Sequence, residues 1–182
     1  MEIFDLYDRN RQRSGMTMAR GTAMLPGTYR LVVHVCLFNR EGRLLIQQRQ
    51  PFKNKWAGLW DLSAAGSAVA GEDSHSAAER ETLEELNLKI DLSDTQPSLT
   101  VHWARGFDDI YLLTLDHEPN DLRLQEEEVR DVRWASLSDT LEMIDDGSFI
   151  PYEKSFIELL FRLREHRDIH TREDDTSAKK KE

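Results

Sequence analysis

The chain has 182 residues, 39% of them hydrophobic and 32% charged, with 34 Asp and Glu against 24 Lys and Arg and a formal net charge of −10. That length fits one domain with a modest core. The acidic balance excludes broad, nonspecific binding to nucleic acid or anionic membrane, though not a local basic pocket. A lone cysteine, Cys36, excludes an internal disulfide; its apolar neighbours mark it as a buried structural thiol.

The first ten residues, MEIFDLYDRN, hold acids where a signal peptide needs an apolar run, and no segment reaches the length of a membrane span. A soluble, cytoplasmic protein without membrane contact is expected. Residues 2–7 alternate in polarity, a turn-rich DRNRQRSG follows, and MTMAR reads as a second strand, so residues 1–29 form a hairpin-like N-terminal extension. LVVHVCLF at 31–38 is an apolar run suited to a strand buried on both faces. NREG turns the chain and RLLIQQRQ returns as the next strand. KNKWAGLWDLSAAG reads as irregular. Residues 74–86 read as a helix, with Asp73 as N-cap and Asn87 at the left-handed exit. SLTVHWAR and DDIYLLTL are strands joined near Gly106–Phe107, and EEEVRDVRWASL is a loop leading into a short strand. Ser136 or Ser138 caps a helix running to Asp145, and Phe156, Leu159, Leu160 and Leu163 carry helical spacing over 152–165. The pattern predicts an α+β fold, a mixed sheet flanked by helices. A single domain is expected over 1–168, with a charged tail at 169–182.

The helix at 74–86 carries the chemistry. Glu81, Glu84 and Glu85 fall at i, i+3 and i+4 and share one face, beside a stripe of Ala78, Thr82 and Leu86 suited to packing on the sheet. Three carboxylates at the edge of a buried stripe repel and raise at least one pKa. A hard divalent cation such as Mg²⁺ removes that penalty. Arg80 is placed to orient one carboxylate, and Gly66 to bring a backbone carbonyl near the ion. The competing reading is a solvated charged helix face.

Gly66, Glu72, Arg80, Glu81, Glu84 and Glu85 together resemble the Nudix box, G-x5-E-x7-R-E-U-x-E-E-x-G-U, with U a bulky aliphatic residue. Every charged position matches. Thr82 stands at an aliphatic position and Asn87 at the last glycine; Asn is the next most tolerant of positive φ. The resemblance implies the Nudix fold, a mixed sheet sandwiched between helices, and Mg²⁺-dependent hydrolysis of a diphosphate (Mn²⁺ as substitute). By position, Glu81, Glu84 and Glu85 with Gly66 would hold metal. Glu81 or Glu84 would serve as base, Arg80 would orient the glutamates, and Glu72 would brace the loop and helix. A further carboxylate is sought in Glu126, Glu127 and Glu128, with Glu127 put forward; three adjacent acids also read as a solvated loop.

HVCLFNREGRLLIQQRQPFKNKWAGLWDLSAAGSAVAGE is similar to the corresponding part of isopentenyl-diphosphate isomerase, a Nudix-fold enzyme. Arg49 and Lys53 match its diphosphate-holding positions. Ala65 stands where the isomerase has its acid–base cysteine, and Ser67 where it has a metal-binding histidine; alanine transfers no proton. Trp56 and Phe107, both expected in loops, are the pocket candidates, while Trp60, His34 and His102 read as structural. Asp108 and Asp109 read as turn acids. The reading is therefore a diphosphohydrolase acting on a small-molecule nucleotide-type or other XDP-R diphosphate. Isomerisation or non-catalytic nucleotide sensing is the alternative, and a homodimer through the N-terminal hairpin is left open.

Overall fold

The computed structural model describes residues 1–115 and 118–165; the charged tail expected at 169–182 lies outside them. Strand β1 (Ile3–Tyr7) pairs antiparallel with β2 (Arg13–Ala19) in a separate two-stranded sheet. β2 begins three residues earlier than MTMAR suggests, because Arg13 pairs with Tyr7 across a register shift. The hairpin is tied down: Arg13 donates to the Glu72 carbonyl at 2.6 Å and the Ala70 amide to the Ile3 carbonyl at 2.7 Å.

The main sheet has seven strands: β3 (Arg30–Phe38), β4 (Leu44–Arg49), β5 (Trp60–Asp61), β6 (Ala64–Ser67), β7 (Leu99–Trp103), β8 (Gly106–Thr114) and β9 (Val129–Ala135). β3 runs parallel to β8 along its whole length and antiparallel to β6 on its other edge. β3 and β4 meet only at the hairpin, Phe38 opposite Leu44. Beyond it they diverge, and β4 pairs with β5 and β9 instead. That divergence opens a gap in the sheet beside β6.

Period-two alternation along β3 sends its side chains to two cores. Leu31, Val33, Val35 and Leu37 pack with Ala77, Ala78 and Leu86 of α1 (Ser74–Leu86). Cys36 and Phe38 pack with Met143 of α2 (Leu137–Asp145) and with Ile157, Leu160 and Phe161 of α3 (Lys154–Glu165). The expected sandwich of a mixed sheet between helices is thus observed. Cys36 is wholly buried and its thiol is pushed far above its ordinary range by desolvation, so it is a core residue. Among the described residues, no helix is long and apolar enough to cross a membrane.

Helix α1 starts where the sequence places it. Asp73 accepts from the Ser76 amide at 2.9 Å while the Ser76 hydroxyl accepts from the Asp73 amide at 3.0 Å, a closed capping box. It ends at Asn87, whose φ of 50° is the left-handed exit conformation. Thr82 is fully buried and its hydroxyl donates to the Ala78 carbonyl at 2.8 Å, so the polar atom at an aliphatic position is satisfied.

Candidate active site

A cleft of about 390 Å³ lies where β6 and the gap in the sheet face α1. Gly66, Arg80, Glu81, Glu84 and Glu85 all line it, as do Arg49 at the end of β4 and Lys53 and Trp56 from the segment that follows. Most of the residues singled out from sequence therefore meet in one place.

Arg80 is the hub of the carboxylates. Its guanidinium pairs with both oxygens of Glu72, at 2.6 and 3.0 Å, and donates to the Ser67 carbonyl at 3.2 Å. The same side chain reaches Glu81 and Glu84, each at 2.9 Å. Glu72 also accepts from the Val69 amide at 2.9 Å, so it locks loop to helix as the box resemblance implies. Glu85 lies outside this cluster. It is buried, and its Oε2 accepts from Gln47 Nε2 at 3.0 Å and from the Ala65 amide at 3.2 Å.

Gly66 is required by space, not by backbone conformation. A Cβ there would lie 1.9 Å from Glu81 Oε1 and 2.1 Å from its Cδ. The missing side chain leaves room for the Glu81 carboxylate against β6.

Burial has an electrostatic consequence. Desolvation pushes Glu81 up to about 7, against the pull of Arg80. Desolvation, then the nearby Glu81 charge, pushes Glu85 up to about 8, with the Gln47 and Ala65 hydrogen bonds opposing. Two carboxylates forced toward their neutral forms at neutral pH are a site in want of positive charge. Among the described residues no three carboxylate, imidazole or thiol groups already close around one point. The reason is visible: the Arg80 guanidinium stands between Glu81 and Glu84 and turns both toward itself. The donor set still suits a hard cation, being all oxygen, with Gly66 adjoining Glu81 and Glu85 one turn on.

The opposite wall is basic. Arg49 lies 3.9 Å from Asp61 and Lys53 is paired with Glu128 at 2.5 Å. Trp56 has φ of 54°, a strained value for a bulky residue, and is 50% exposed. The turn thereby presents a large aromatic face at the cleft.

Two expectations are corrected. Phe107 does not reach this cleft: it is 1% exposed, stacks on Tyr29 at 5.5 Å and belongs to the core under the hairpin. The depression it borders, about 720 Å³ beside Arg11 and Asp73 at the start of α1, contains none of the box glutamates. Glu127 does not line the cleft either; Glu128 does. Glu128 closes a turn by donating its amide to the Gln125 carbonyl, immediately before β9, while Glu126 and Glu127 are exposed. Asp109 is buried under Arg11 and Asp108 accepts from Trp103, so both are structural, as is His34, 3.5 Å from Asp108.

Sequence reasoning missed four charged groups of the cleft: Glu2 and Arg20 from the N-terminal hairpin, Arg30 from the start of β3, and Lys55. The first three are remote from the box in sequence: docking of the hairpin brings in Glu2 and Arg20, and the pairing of β3 with β6 brings in Arg30.

The chain matches the NUDIX domain over residues 28–172. An uncharacterized Nudix hydrolase of Listeria monocytogenes is 47% identical over 170 residues, spanning 93% of this chain and 99% of its own. More distantly, an isopentenyl-diphosphate Delta-isomerase of Salmonella arizonae is 29% identical over 147 residues, 76% of this chain and 79% of its own. The crystal structure of DR0079 from Deinococcus radiodurans superposes with a TM-score of 0.71 at 25% identity, over 88% of this chain and 98% of that one.

Proposed function

The chain belongs to the Nudix hydrolase family, and on that premise we propose that it cleaves the diphosphate linkage of a substituted diphosphate, XDP-R, by Mg²⁺-dependent attack of water at phosphorus. The observation that carries this reading is the meeting, in one cleft, of three helix-borne carboxylates with a facing set of basic side chains.

Glu81, Glu84 and Glu85, with the Gly66 carbonyl, would hold the ion. When bound, a divalent ion neutralises charge on phosphate oxygens and lowers the pKa of the attacking water. The rest falls to the chain's own groups. Arg49 and Lys53 bind the diphosphate and set its register against the carboxylates. Arg80, anchored on Glu72, holds Glu81 and Glu84 in place. Glu81 or Glu84 accepts the proton of the attacking water. Trp56 supplies an apolar face for the group R.

Isomerisation of an isoprenoid diphosphate needs a proton-transferring group on β6. Ala65 has none in its side chain, and its amide is engaged by Glu85. The test is product release from a panel of nucleoside diphosphate derivatives, dinucleotides and isoprenoid diphosphates with Mg²⁺. Glu84→Gln and Glu85→Gln should each lower turnover at least ~100-fold. Release unaffected by both substitutions refutes the mechanism. Double-bond migration without release would identify an isomerase, and binding without turnover a sensor.

A further inference from the structure

Gln47 is a polar side chain where the fold calls for an apolar one. Period two along β4 puts Leu45, Gln47 and Arg49 on one face. Leu45 belongs to the core that packs against α1, and Arg49 reaches the cleft. Gln47 stands between them, 1% exposed, with Asp61 of β5 paired on one side and Val132 of β9 on the other. Neighbouring strands on both edges hold the backbone beneath it in place.

The amide is used at one end only. Its Nε2 donates to Glu85 Oε2 at 3.0 Å, while its Oε1 is buried without a hydrogen-bond partner. The reverse orientation would set amide oxygen against carboxylate oxygen, so Glu85 decides which way the amide points. A buried acceptor left unpaired costs stability, and an apolar side chain of the same length would avoid that cost. Stability of the fold therefore does not account for the glutamine; the bond to Glu85 does. The Ala65 amide donates to the same oxygen, Oε2, at 3.2 Å. Among the described residues no donor falls on Glu85 Oε1, and that atom is not buried. Glu85 lines the cleft, so Oε1 is the oxygen it offers there.

We propose that Gln47 is a positioning residue of the metal site: by holding Oε2 it keeps Oε1 of Glu85 presented to the cation. This rests on the reading of Glu81, Glu84 and Glu85 as the groups that hold the ion, and adds to them a side chain from another strand. The choice of a neutral donor matters. Glu81 and Glu84 are oriented by the Arg80 cation, which competes with a metal for them. An amide orients Glu85 without cancelling the charge that an ion seeks.

Mn²⁺ binding to the full chain without substrate, read by electron paramagnetic resonance at one pH, tests this. The relevant site is the one that Glu85→Gln weakens. Gln47→Met has the same length and no donor; Gln47→Asn keeps an amide too short to reach Glu85. Each should weaken that site about 10–100-fold, the scale of an outer-shell partner. In a Glu85→Gln background the same substitutions should cost no more than about twofold further, because Gln47 acts through Glu85. Urea unfolding shows which variants are folded, and the two variants fail for different reasons if they fail. Wild-type affinity in either folded variant overturns the inference. So does a full-sized loss that persists in the Glu85→Gln background, and so does unfolding of both variants, which would make Gln47 a residue of the fold. Mn²⁺ affinity untouched by Glu85→Gln itself would instead strike at the metal reading beneath it.

Discussion

Gly66→Ala tests the site where its geometry is tightest. The φ of Gly66 is one that any residue adopts, so the substitution carries no backbone strain; everything turns on the added methyl. That carbon would sit 1.9 Å from Glu81 Oε1 and 2.6 Å from Oε2, where about 3.0 Å is the least a real Cβ tolerates. The carboxylate must therefore retreat by roughly 1 Å, a displacement of the size that costs ~100-fold in rate when it falls on a positioning group. Retreat also stretches the 2.9 Å contact to Arg80, a charge-assisted pair worth about 1.5–3 kcal/mol. Because the obstacle is the end of a flexible side chain, the fold should survive with a loss below ~2 kcal/mol. Steady-state turnover against Mg²⁺ concentration, beside urea unfolding, separates the two effects. The expected result is kcat down at least ~30-fold, weaker metal activation and a small stability loss. Wild-type turnover and metal dependence in Gly66→Ala would show that Glu81 is not a working ligand or base.

Other consequences are cheaper to check. Glu81 and Glu85 have folded values pushed up to about 7 and about 8 from an ordinary 4.5, so between pH 4.5 and 8 the folded chain binds more protons than the unfolded one. Stability in EDTA should therefore be greatest near the low end of that window and fall as pH rises through it, by on the order of 3 kcal/mol from Glu81 alone. Millimolar Mg²⁺ or Mn²⁺ should remove the decline, and melting curves from pH 5 to 8.5 that rise in EDTA would refute it. Glu72→Gln breaks a paired guanidinium–carboxylate contact and should cost about 1.5–3 kcal/mol in urea unfolding while lowering turnover, since Arg80 loses its anchor. Phe107→Ala should act on the fold, with a loss of about 3–5 kcal/mol and no selective rise in KM; a change in KM at unaltered stability would return Phe107 to the substrate site.

What the sequence revealed and what it hid divide along physical lines. Helix α1 was legible because its cap, exit and apolar stripe are local signals. Asp73, Asn87 and the buried trio Ala78, Thr82 and Leu86 all lie within fifteen residues. β6 was not: Ala64–Ser67 is all small residues, with no polarity alternation to read, and it becomes a strand only by pairing with β3. Phe107 misleads because Gly106 resembles a loop glycine. Gly106 instead opens β8, where a Cβ would strike the Arg30 carbonyl at 2.7 Å. Glu127 and Glu128 are indistinguishable in sequence because three adjacent acids carry no period, and facing is decided by the turn before β9. Arg20 and Arg30 leave no local trace, because Arg20 reaches the cleft by long-range docking of the hairpin and Arg30 by the pairing of β3 with β6.

The arrangement around Arg80 bears on how a chain with so many acids on one helix folds before any ion arrives. One guanidinium serves three carboxylates, Glu72, Glu81 and Glu84, and so holds most of the repulsion in check. Its own pKa is driven far up by Glu72, so it stays charged at every pH the protein meets. Glu85 is beyond its reach and relies on two neutral donors, Gln47 and the Ala65 amide. The least compensated anion is therefore the most buried one, beside the space that Gly66 keeps open. Glu85 and Glu81 are therefore the carboxylates that would gain most from holding a cation, and Arg80 would release Glu81 while keeping Glu72. The bidentate Glu72 contact allows this, since it uses Nε and one terminal nitrogen and leaves the other terminal nitrogen for Glu84. Glu72 thus secures the arginine through the exchange. On this account its loss should weaken metal activation before it weakens the fold.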